Sequence, residues 1–357
     1  MVKVEKNFKA PLNEEDFAEA LKKGLGRALL HVKHHGLKNI EDLVLNACLH
    51  NQAYDPQCES SRAERLWGMI KNRQEFPVFR NKILNALKKE KYHHDLQELF
   101  QFAKLIVQEG DNDAHQQFRQ KYTLNRIIED ARNGVGEGDY IYMRFGQFAS
   151  ARELEKIYFQ FLKEKNESLQ LRLLWVFAGT PMPRLDKRVF ELATGNNDSL
   201  RKASIASLAQ ISDKQVHKLA RQKVQKGELL GPDENVLNLF IRNYQDGDAH
   251  LIAQTLNRIS PDKYEAHHLG GSIIKLTDQY DLKSRFPLRR IYKEKHYDDP
   301  TLAKPLIWVY ENTPCSLCRH DSVVKLDKLN QLKDSIIYEC LFDVDEETRA
   351  FAQKLCQ

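Results

Sequence analysis

The sequence lacks any long hydrophobic run. No stretch of its 357 residues approaches the roughly 18 consecutive apolar residues that a membrane span needs. The N-terminal stretch MVKVEKNFKAPLNEEDF also lacks the apolar core of a signal peptide. The sequence therefore predicts a protein without a membrane segment, and we expect it in the cytoplasm.

Cysteine and net charge are both low. Six cysteines without a regular spacing fit a reducing compartment better than an exported disulfide scaffold. The formal net charge is +5, which is well below that of an obvious nucleic-acid-binding protein. Hydrophobic residues make up 41% of the chain and charged residues 29%, a balance that suits a thin helical array with much surface for its core.

The alternating apolar and polar pattern of a half-buried strand is also almost absent. Only the stretch from Tyr140 to Met143 has an extended character, and apolar residues elsewhere recur at helical spacing. The pair Gly270-Gly271 does not form a phosphate-binding loop, because no strand precedes it and no Gly-Lys-Ser/Thr follows. We therefore predict an all-α protein.

The stretch from residue 198 to residue 224 shows the helical pattern best. Asp198 is a good N-cap, and Asp213 can cap a second helix that stops near Gly227. The apolar stripes of the two helices are Leu200, Ala203, Ala206, Leu208 and Ile211, then Val216, Leu219, Ala220 and Val224. Two amphipathic helices joined by so short a turn must be antiparallel, and they need stacked neighbours to bury their apolar faces.

One short pattern recurs along the chain. A polar residue that can cap a helix is followed by an apolar residue or Thr, and Arg comes directly after that residue. The pairs are Leu171-Arg172, Leu200-Arg201, Cys318-Arg319 and Thr348-Arg349. This pattern resembles the second half of a HEAT repeat, best over residues 150–225 and 300–357 and poorly over 228–300. The resemblance implies a right-handed α-solenoid of HEAT-like helix pairs that binds a macromolecular partner on its concave face.

Three glycines in residues 133–139 suggest either a hinge or a simple turn between repeats. We expect an N-terminal helical array over residues 1–132, a glycine-rich seam over 133–139 and a C-terminal array over 140–357. The two arrays are expected to form one continuous solenoid.

The preferred function is a non-enzymatic scaffold or adaptor that binds a protein, with no cofactor and no catalytic residue. The alternative is a nucleic-acid-binding protein, because solenoid curvature can line up basic patches that follow phosphates. The residues singled out for binding are Arg201, Lys202, Arg221, Lys283, Arg285, Arg289, Arg290 and Lys293. Solvated helix faces are the other interpretation of these charges.

Two clusters of cysteine and histidine leave open an enzyme or a zinc protein. Cys315, Cys318 and His320 are weak metal candidates, because a structural zinc site normally takes four ligands. With Thr313 as N-cap and Pro314 in the first turn, the two cysteines are expected to pack as small hydrophobes. A helix N-terminus also lowers a thiol pKa, so a reactive Cys315 is the further alternative.

The other cluster is Cys48, His50 and Cys58, which fits either a loop packed on the next repeat or a nucleophile or metal site. His267 and His268 are expected to be surface residues or helix caps rather than ligands, since adjacent side chains point different ways on a helix. Three tryptophans, at positions 67, 175 and 308, lie in apolar stripes and are expected in the core. They therefore do not match the Trp, Asp and Arg set of HEAT-like DNA glycosylases.

Overall fold

The computed structural model describes residues 12–23, 25–35, 118–134, 139–277 and 299–357, together with the single positions Asp42, Val44 and Trp67. Within these ranges every regular element is an α-helix or a 3₁₀-helix. The prediction of an all-α protein is confirmed for this part of the chain. None of the described helices is both long and apolar enough to cross a membrane.

The helices follow one another through short connections. In chain order the α-helices are α1 (Glu14–Lys23), α2 (Gly26–His35), α3 (Leu124–Asn133), α4 (Asp139–Phe148), α5 (Ala151–Lys163), α6 (Glu167–Ala178), α7 (Lys187–Ala193), α8 (Asp198–Leu208), α9 (Lys214–Lys226), α10 (Asp248–Leu256), α11 (Lys263–Leu276), α12 (Ala303–Asn312), α13 (Ser316–Lys328), α14 (Asp334–Cys340) and α15 (Glu346–Leu355). The described 3₁₀-helices are Gly231–Asp233, Val236–Phe240 and Pro300–Leu302.

The chain divides into two compact units. The first unit comprises Met1–Asp95, Ser260–Ile274 and Asp298–Gln357. The second unit comprises Leu96–Ile259 and Lys275–Tyr297.

In the second unit, helices pack on the next helix but one along the chain. Helix α4 packs on α6, α6 packs on α8, and the 3₁₀-helix Val236–Phe240 packs on α8 and α9. Helices α4 and α6 approach closely at Gly146, where a Cβ atom would lie 1.9 Å from the carbonyl oxygen of Val176. Only glycine fits at this contact, because any side chain would push the two helices apart.

The packed helices of the second unit are joined by hydrogen bonds at a nearly constant sequence separation. Four side chains donate to a backbone carbonyl of an earlier helix or turn: Ser207 to Leu174, Gln210 to Ala178, Asn243 to Ile211 and Thr255 to Val224. The bonded residues are 31 to 33 positions apart. Each bond satisfies a polar group at a helix–helix contact and contributes roughly 0.5–1.5 kcal/mol.

The core between these helices is apolar. Phe145, Leu173 and Ile205 are fully buried, and burial of such a side chain contributes roughly 1.5–3 kcal/mol. The tryptophans at positions 67, 175 and 308 are 3%, 7% and 9% exposed, which confirms that they are core residues.

In the first unit, α12 packs on α13, while α15 packs on α13 and α14. Helix α2 packs on α1 and on α14. The α2–α14 contact is close at Gly26, where a Cβ atom would lie 2.0 Å from the carbonyl oxygen of Glu339. Glu339 also accepts a hydrogen bond from Arg27 at 2.8 Å, so one ion pair and one glycine hold these helices together.

An arginine four residues after the N-cap recurs at three helix starts. The caps are Asn197, Cys315 and Asp345, and the arginines are Arg201, Arg319 and Arg349. Each guanidinium donates to a carbonyl of the preceding loop, from Arg201 to Gly195, from Arg319 to Pro314 and from Arg349 to Asp343 and Val344. These hydrogen bonds explain why Arg recurs at the three helix starts, because each arginine joins its helix to the loop before it. The fourth arginine of the pattern, Arg172, donates instead to Ser168 of its own helix.

Two predicted caps are displaced. Asn197, rather than Asp198, caps α8 and accepts from the amide of Leu200 at 3.1 Å. Asp198 is the first helical residue. Cys315, rather than Thr313, caps α13, because the Thr313 hydroxyl accepts from the amide of Cys315 and closes a turn before the helix.

The second helix of the hairpin that follows Asn197 begins and ends as predicted. Asp213 caps α9 by accepting from the amide of Gln215. Gly227 ends α9 with a φ of 78°, in the left-handed region that favours glycine.

Two other stretches differ from expectation. The sequence predicts a helix over residues 232–242, whereas the structure has two short 3₁₀-helices there. The buried Asp233, at the end of the first 3₁₀-helix, pairs with Lys223 of α9 at 2.6 Å. The stretch from Tyr140 to Met143, which has an extended character in the sequence, lies in α4.

The predicted glycine-rich seam is described only at its two ends. Gly134 ends α3 with a φ of 67°, and its amide donates to the carbonyl of Asp130. Residues 135–138 lie outside the described ranges. The hinge and the division into arrays at residues 133–139 therefore stay predictions.

Candidate thiol and imidazole site

The first unit brings two thiols and one imidazole together. Cys315 Sγ, Cys318 Sγ and a ring nitrogen of His267 all lie within 4.8 Å of one another. The Sγ of Cys318 is 3.8 Å from Nδ1 of His267. Among the described residues, these three form the one group of His, Cys, Asp or Glu side chains that is close enough to hold a metal ion.

The start of α13 positions both thiols. Cys315 is the N-cap, and its Sγ accepts from the amide of Cys318 at 3.5 Å. Cys318 is the third residue of the helix, so the two side chains lie on the same side of the first turn. The CxxC spacing therefore directs both sulfur atoms to one point. Cys318 is 9% exposed, and Cys315 is half-buried.

Helix α11 supplies the imidazole. Gly270 faces the end of α12, where a Cβ atom would lie 3.5 Å from Thr313 Oγ1 and 3.5 Å from Val309 Cγ1. His267 is three residues earlier and therefore lies on the same face of α11. His267 is half-buried there, with its Nδ1 beside the thiol of Cys318.

The pair of thiols shares a proton unequally. The hydrogen bond from Cys318, helped by His267 and opposed by burial, lowers the pKa of the Cys315 thiol to about 4. The same hydrogen bond, together with burial, raises the pKa of the Cys318 thiol far above its usual range. Cys315 therefore carries the negative charge at a helix N-terminus, where the backbone dipole favours it. A thiolate, a thiol and an imidazole in this arrangement can act as soft metal ligands or as a nucleophile with its neighbours.

One predicted member of this cluster lies elsewhere. His320 is beside Thr348, with 3.3 Å between Nδ1 and Oγ1, and its ring contacts that of Phe351. Two residues beyond Cys318, it points to another side of α13. His267, which we expected at the surface, takes its place beside the thiols. No local sequence signal indicates this, because His267 is 51 residues before Cys318.

The other two described cysteines, Cys340 and Cys356, are not part of the cluster. Cys340 is buried, with its Sγ 3.7 Å from the hydroxyl of Tyr310, and Cys356 is exposed. Burial raises the pKa of the Cys340 thiol, which leaves it neutral. The predicted cluster of Cys48, His50 and Cys58 lies outside the described residues.

Three of the predicted binding residues lie in the second unit, and each pairs with a carboxylate. Arg201 pairs with Asp198 at 2.7 Å and with Asp233 at 3.4 Å. Lys202 pairs with Glu234 at 2.8 Å, and Arg221 pairs with the buried Asp248 at 2.5 Å. The other five, Lys283, Arg285, Arg289, Arg290 and Lys293, lie outside the described residues. Their role in binding stays a prediction.

Comparison of the chain with protein-family models, with curated proteins and with solved structures finds no match. The functional argument therefore depends on the geometry of the described residues.

Proposed function

We propose that the second unit is a solenoid of short helical hairpins and that the protein is a non-enzymatic scaffold that binds a protein partner. The observation that carries this proposal is the separation of 31 to 33 residues between hydrogen-bonded helices. A constant separation is what stacked, equivalent hairpins produce. It is shorter than the roughly 40–47 residues of a HEAT repeat, so the likeness to that family lies in the stacking of hairpins rather than in repeat length.

Stacked hairpins favour partner binding because they present an extended surface that exceeds what their core requires. A protein partner is favoured over nucleic acid by the state of the basic side chains. Lys202 and Arg221 are neutralised by Glu234 and Asp248 of neighbouring elements. A phosphate backbone would have to displace these carboxylates before it could bind.

We propose helix α5 as part of the contact surface. Phe159 is 43% exposed there, and the guanidinium of Arg184 lies 5.3 Å from the centre of its ring. Aromatic and arginine side chains are the residues that most often anchor protein interfaces. We propose the cytoplasm, a reducing compartment, as the location of the protein, and the free thiols of Cys315, Cys318 and Cys340 fit it.

Affinity capture with matched variants tests the scaffold. The full chain is immobilised and exposed to nuclease-treated extract of the cells that produce it, at physiological and at high salt. We expect a protein that is retained at both salt concentrations and competed away by the free chain. Phe159→Ser should weaken its retention, whereas Leu355→Ser should not, because Leu355 is similarly exposed at 38% but lies in α15 of the first unit.

Fluorescence anisotropy with labelled duplex DNA, single-stranded DNA and RNA tests the alternative function, which is nucleic-acid binding. A groove that contacts six or more phosphates loses about a thousandfold in affinity between low and near-physiological salt. Tight binding with that salt dependence, together with no retained protein in the capture experiment, would contradict the proposal and support a nucleic-acid-binding function.

A further inference from the structure

We propose that His267, Cys315 and Cys318 form a binding site for a zinc ion. The inference is independent of the scaffold function, since it depends only on the donors gathered in the first unit. It goes beyond the sequence pattern, because the third donor comes from a helix 51 residues before Cys318 and not from the neighbouring His320.

The distances between the donors fit a tetrahedral zinc ion. Zn–S bonds of about 2.3 Å and Zn–N bonds of about 2.0–2.1 Å place a sulfur and a nitrogen about 3.6 Å apart at the tetrahedral angle. Cys318 Sγ and His267 Nδ1 are 3.8 Å apart, and all three donor atoms lie within 4.8 Å of one another. Small rotations of the side chains would therefore bring all three into the coordination shell.

The chemistry of the donors selects the metal. Two sulfur atoms and one imidazole nitrogen are soft or borderline ligands, which favour zinc and its substitutes cobalt and cadmium over magnesium or calcium. A divalent cation would replace the proton that the two thiols share, so both cysteines would bind as thiolates. The positive end of the α13 dipole is directed at Cys315 and stabilises one of these charges before the metal arrives.

Contacts within the protein hold the segments that carry the donor residues. The loop before α13 is held by Arg319, which donates to the carbonyl of Pro314 and pairs with Asp343. Gly270, three residues after His267 on α11, faces Val309 and Thr313 at the end of α12. The described residues thus supply three of the four ligands that a tetrahedral zinc ion takes.

Metal analysis of the purified full chain tests the site. We expect one zinc per chain by elemental analysis and, after exchange, a thiolate-to-cobalt charge-transfer band with Co²⁺. His267→Gln and Cys318→Ser should each weaken zinc binding at least about tenfold in competition with a chromophoric chelator. His320→Gln and Cys356→Ser serve as matched controls and should bind zinc as the unaltered chain does, while added Mg²⁺ should not compete.

Three results would overturn the proposal. The first is an unaltered chain that neither contains zinc nor binds it when titrated in the reduced state. The second is a Co²⁺ spectrum without a thiolate band, a measurement on the unaltered chain that does not depend on any variant folding. The third is zinc binding that survives in His267→Gln and Cys318→Ser chains whose circular dichroism shows the native helix content.

Discussion

The helix starts at Asn197 and Cys315 have the same layout but different chemistry. Each cap is followed three residues later by a buried side chain, which is Leu200 in the second unit and Cys318 in the first. An arginine then donates to the loop before the helix in both cases. At Asn197 an amide oxygen accepts the free N–H at 3.1 Å, whereas at Cys315 a sulfur, a weaker acceptor, does so at 3.5 Å.

The two arginines also differ in their surroundings. The side chain of Arg201 is 18% exposed, and its partner Asp198 is 71% exposed. Arg319 and its partner Asp343 are both completely buried. One sequence pattern therefore builds the same local bond in two places, while the neighbouring helices decide whether that bond lies in solvent or in the core. The thiols at Cys315 and Cys318 occupy ordinary capping and core positions, and His267 of another helix lies beside them.

The largest expected difference between the two helix starts is the loss of unfolding free energy when the arginine is replaced. Arg319→Met leaves the carboxylate of Asp343 buried without its guanidinium, which costs about 3–5 kcal/mol of unfolding free energy. Arg201→Met removes the pair with the exposed Asp198, while the buried Asp233 keeps its shorter pair with Lys223, so the change should cost about 1 kcal/mol or less. Urea denaturation of both variants measures the two values.

A third variant checks the cause of that difference. Asp343→Leu in the Arg319→Met background should recover part of the loss, because it removes the unpaired charge. Equal costs for Arg319→Met and Arg201→Met would show that burial of the Arg319–Asp343 pair does not matter, and the comparison would fail.

The second expected difference is that the contribution of the Cys315 cap to stability depends on pH. In the metal-free, reduced chain the pKa of Cys315 is lowered from 9.0 to about 4, so the folded state releases a proton that the unfolded state still binds between these values. Stability from this group is therefore present above pH 9 and is lost as the pH falls through about 4.

The advantage of the unaltered chain over Cys315→Ser should accordingly grow with rising pH, by at most about 1.4 kcal/mol per pH unit. Urea denaturation at about pH 5 and about pH 8, in the presence of a chelator and a reductant, measures this change. Asn197→Ala provides the control, because its cap does not titrate and its cost should be the same at both pH values. Parallel pH curves for the unaltered chain and Cys315→Ser would rule out a Cys315 thiolate.

The smallest expected effect comes from exchanging the caps. Asn197→Ala should cost about 1 kcal/mol, since one amide of the first turn of α8 loses its acceptor. Asn197→Cys places at α8 the type of cap that Cys315 provides at α13. It should cost less stability than Asn197→Ala, because sulfur still accepts a weak hydrogen bond from the amide. Thermal or urea denaturation of the three chains ranks them, and a cysteine no better than alanine would show that the Cys315 sulfur does not cap α13.

The hairpin that follows Asn197 could be predicted in some detail from the sequence. Its apolar stripes recur at helical spacing, Asp213 is a short carboxylate at a break in the pattern, and Gly227 can adopt a left-handed φ. These signals are local, because each depends on residues within one or two turns. The caps were misplaced by one residue at Asn197 and by two at Cys315, since neighbouring Asn, Asp, Thr and Cys can all accept the same amide.

The candidate site could be predicted only in part. Cys315 and Cys318 are neighbours in sequence, so their common direction follows from helix geometry. His267 is 51 residues before Cys318, and nothing local indicates that α11 approaches the start of α13. The basic residues Arg201, Lys202 and Arg221 were expected to be available for binding, but their carboxylate partners at Asp233, Glu234 and Asp248 come from other elements.

The sequence by itself determined that the described chain is helical and where several helices begin and end. These properties are set by the spacing of apolar residues and by bonds between residues a few positions apart. The tertiary structure alone decided the separation of 31 to 33 residues between bonded helices, the burial of the Arg319–Asp343 pair and the meeting of His267 with two thiols. The physical reason is that these contacts join residues far apart in sequence, whose proximity depends on how whole helices pack, as where Gly146 lets α4 approach α6.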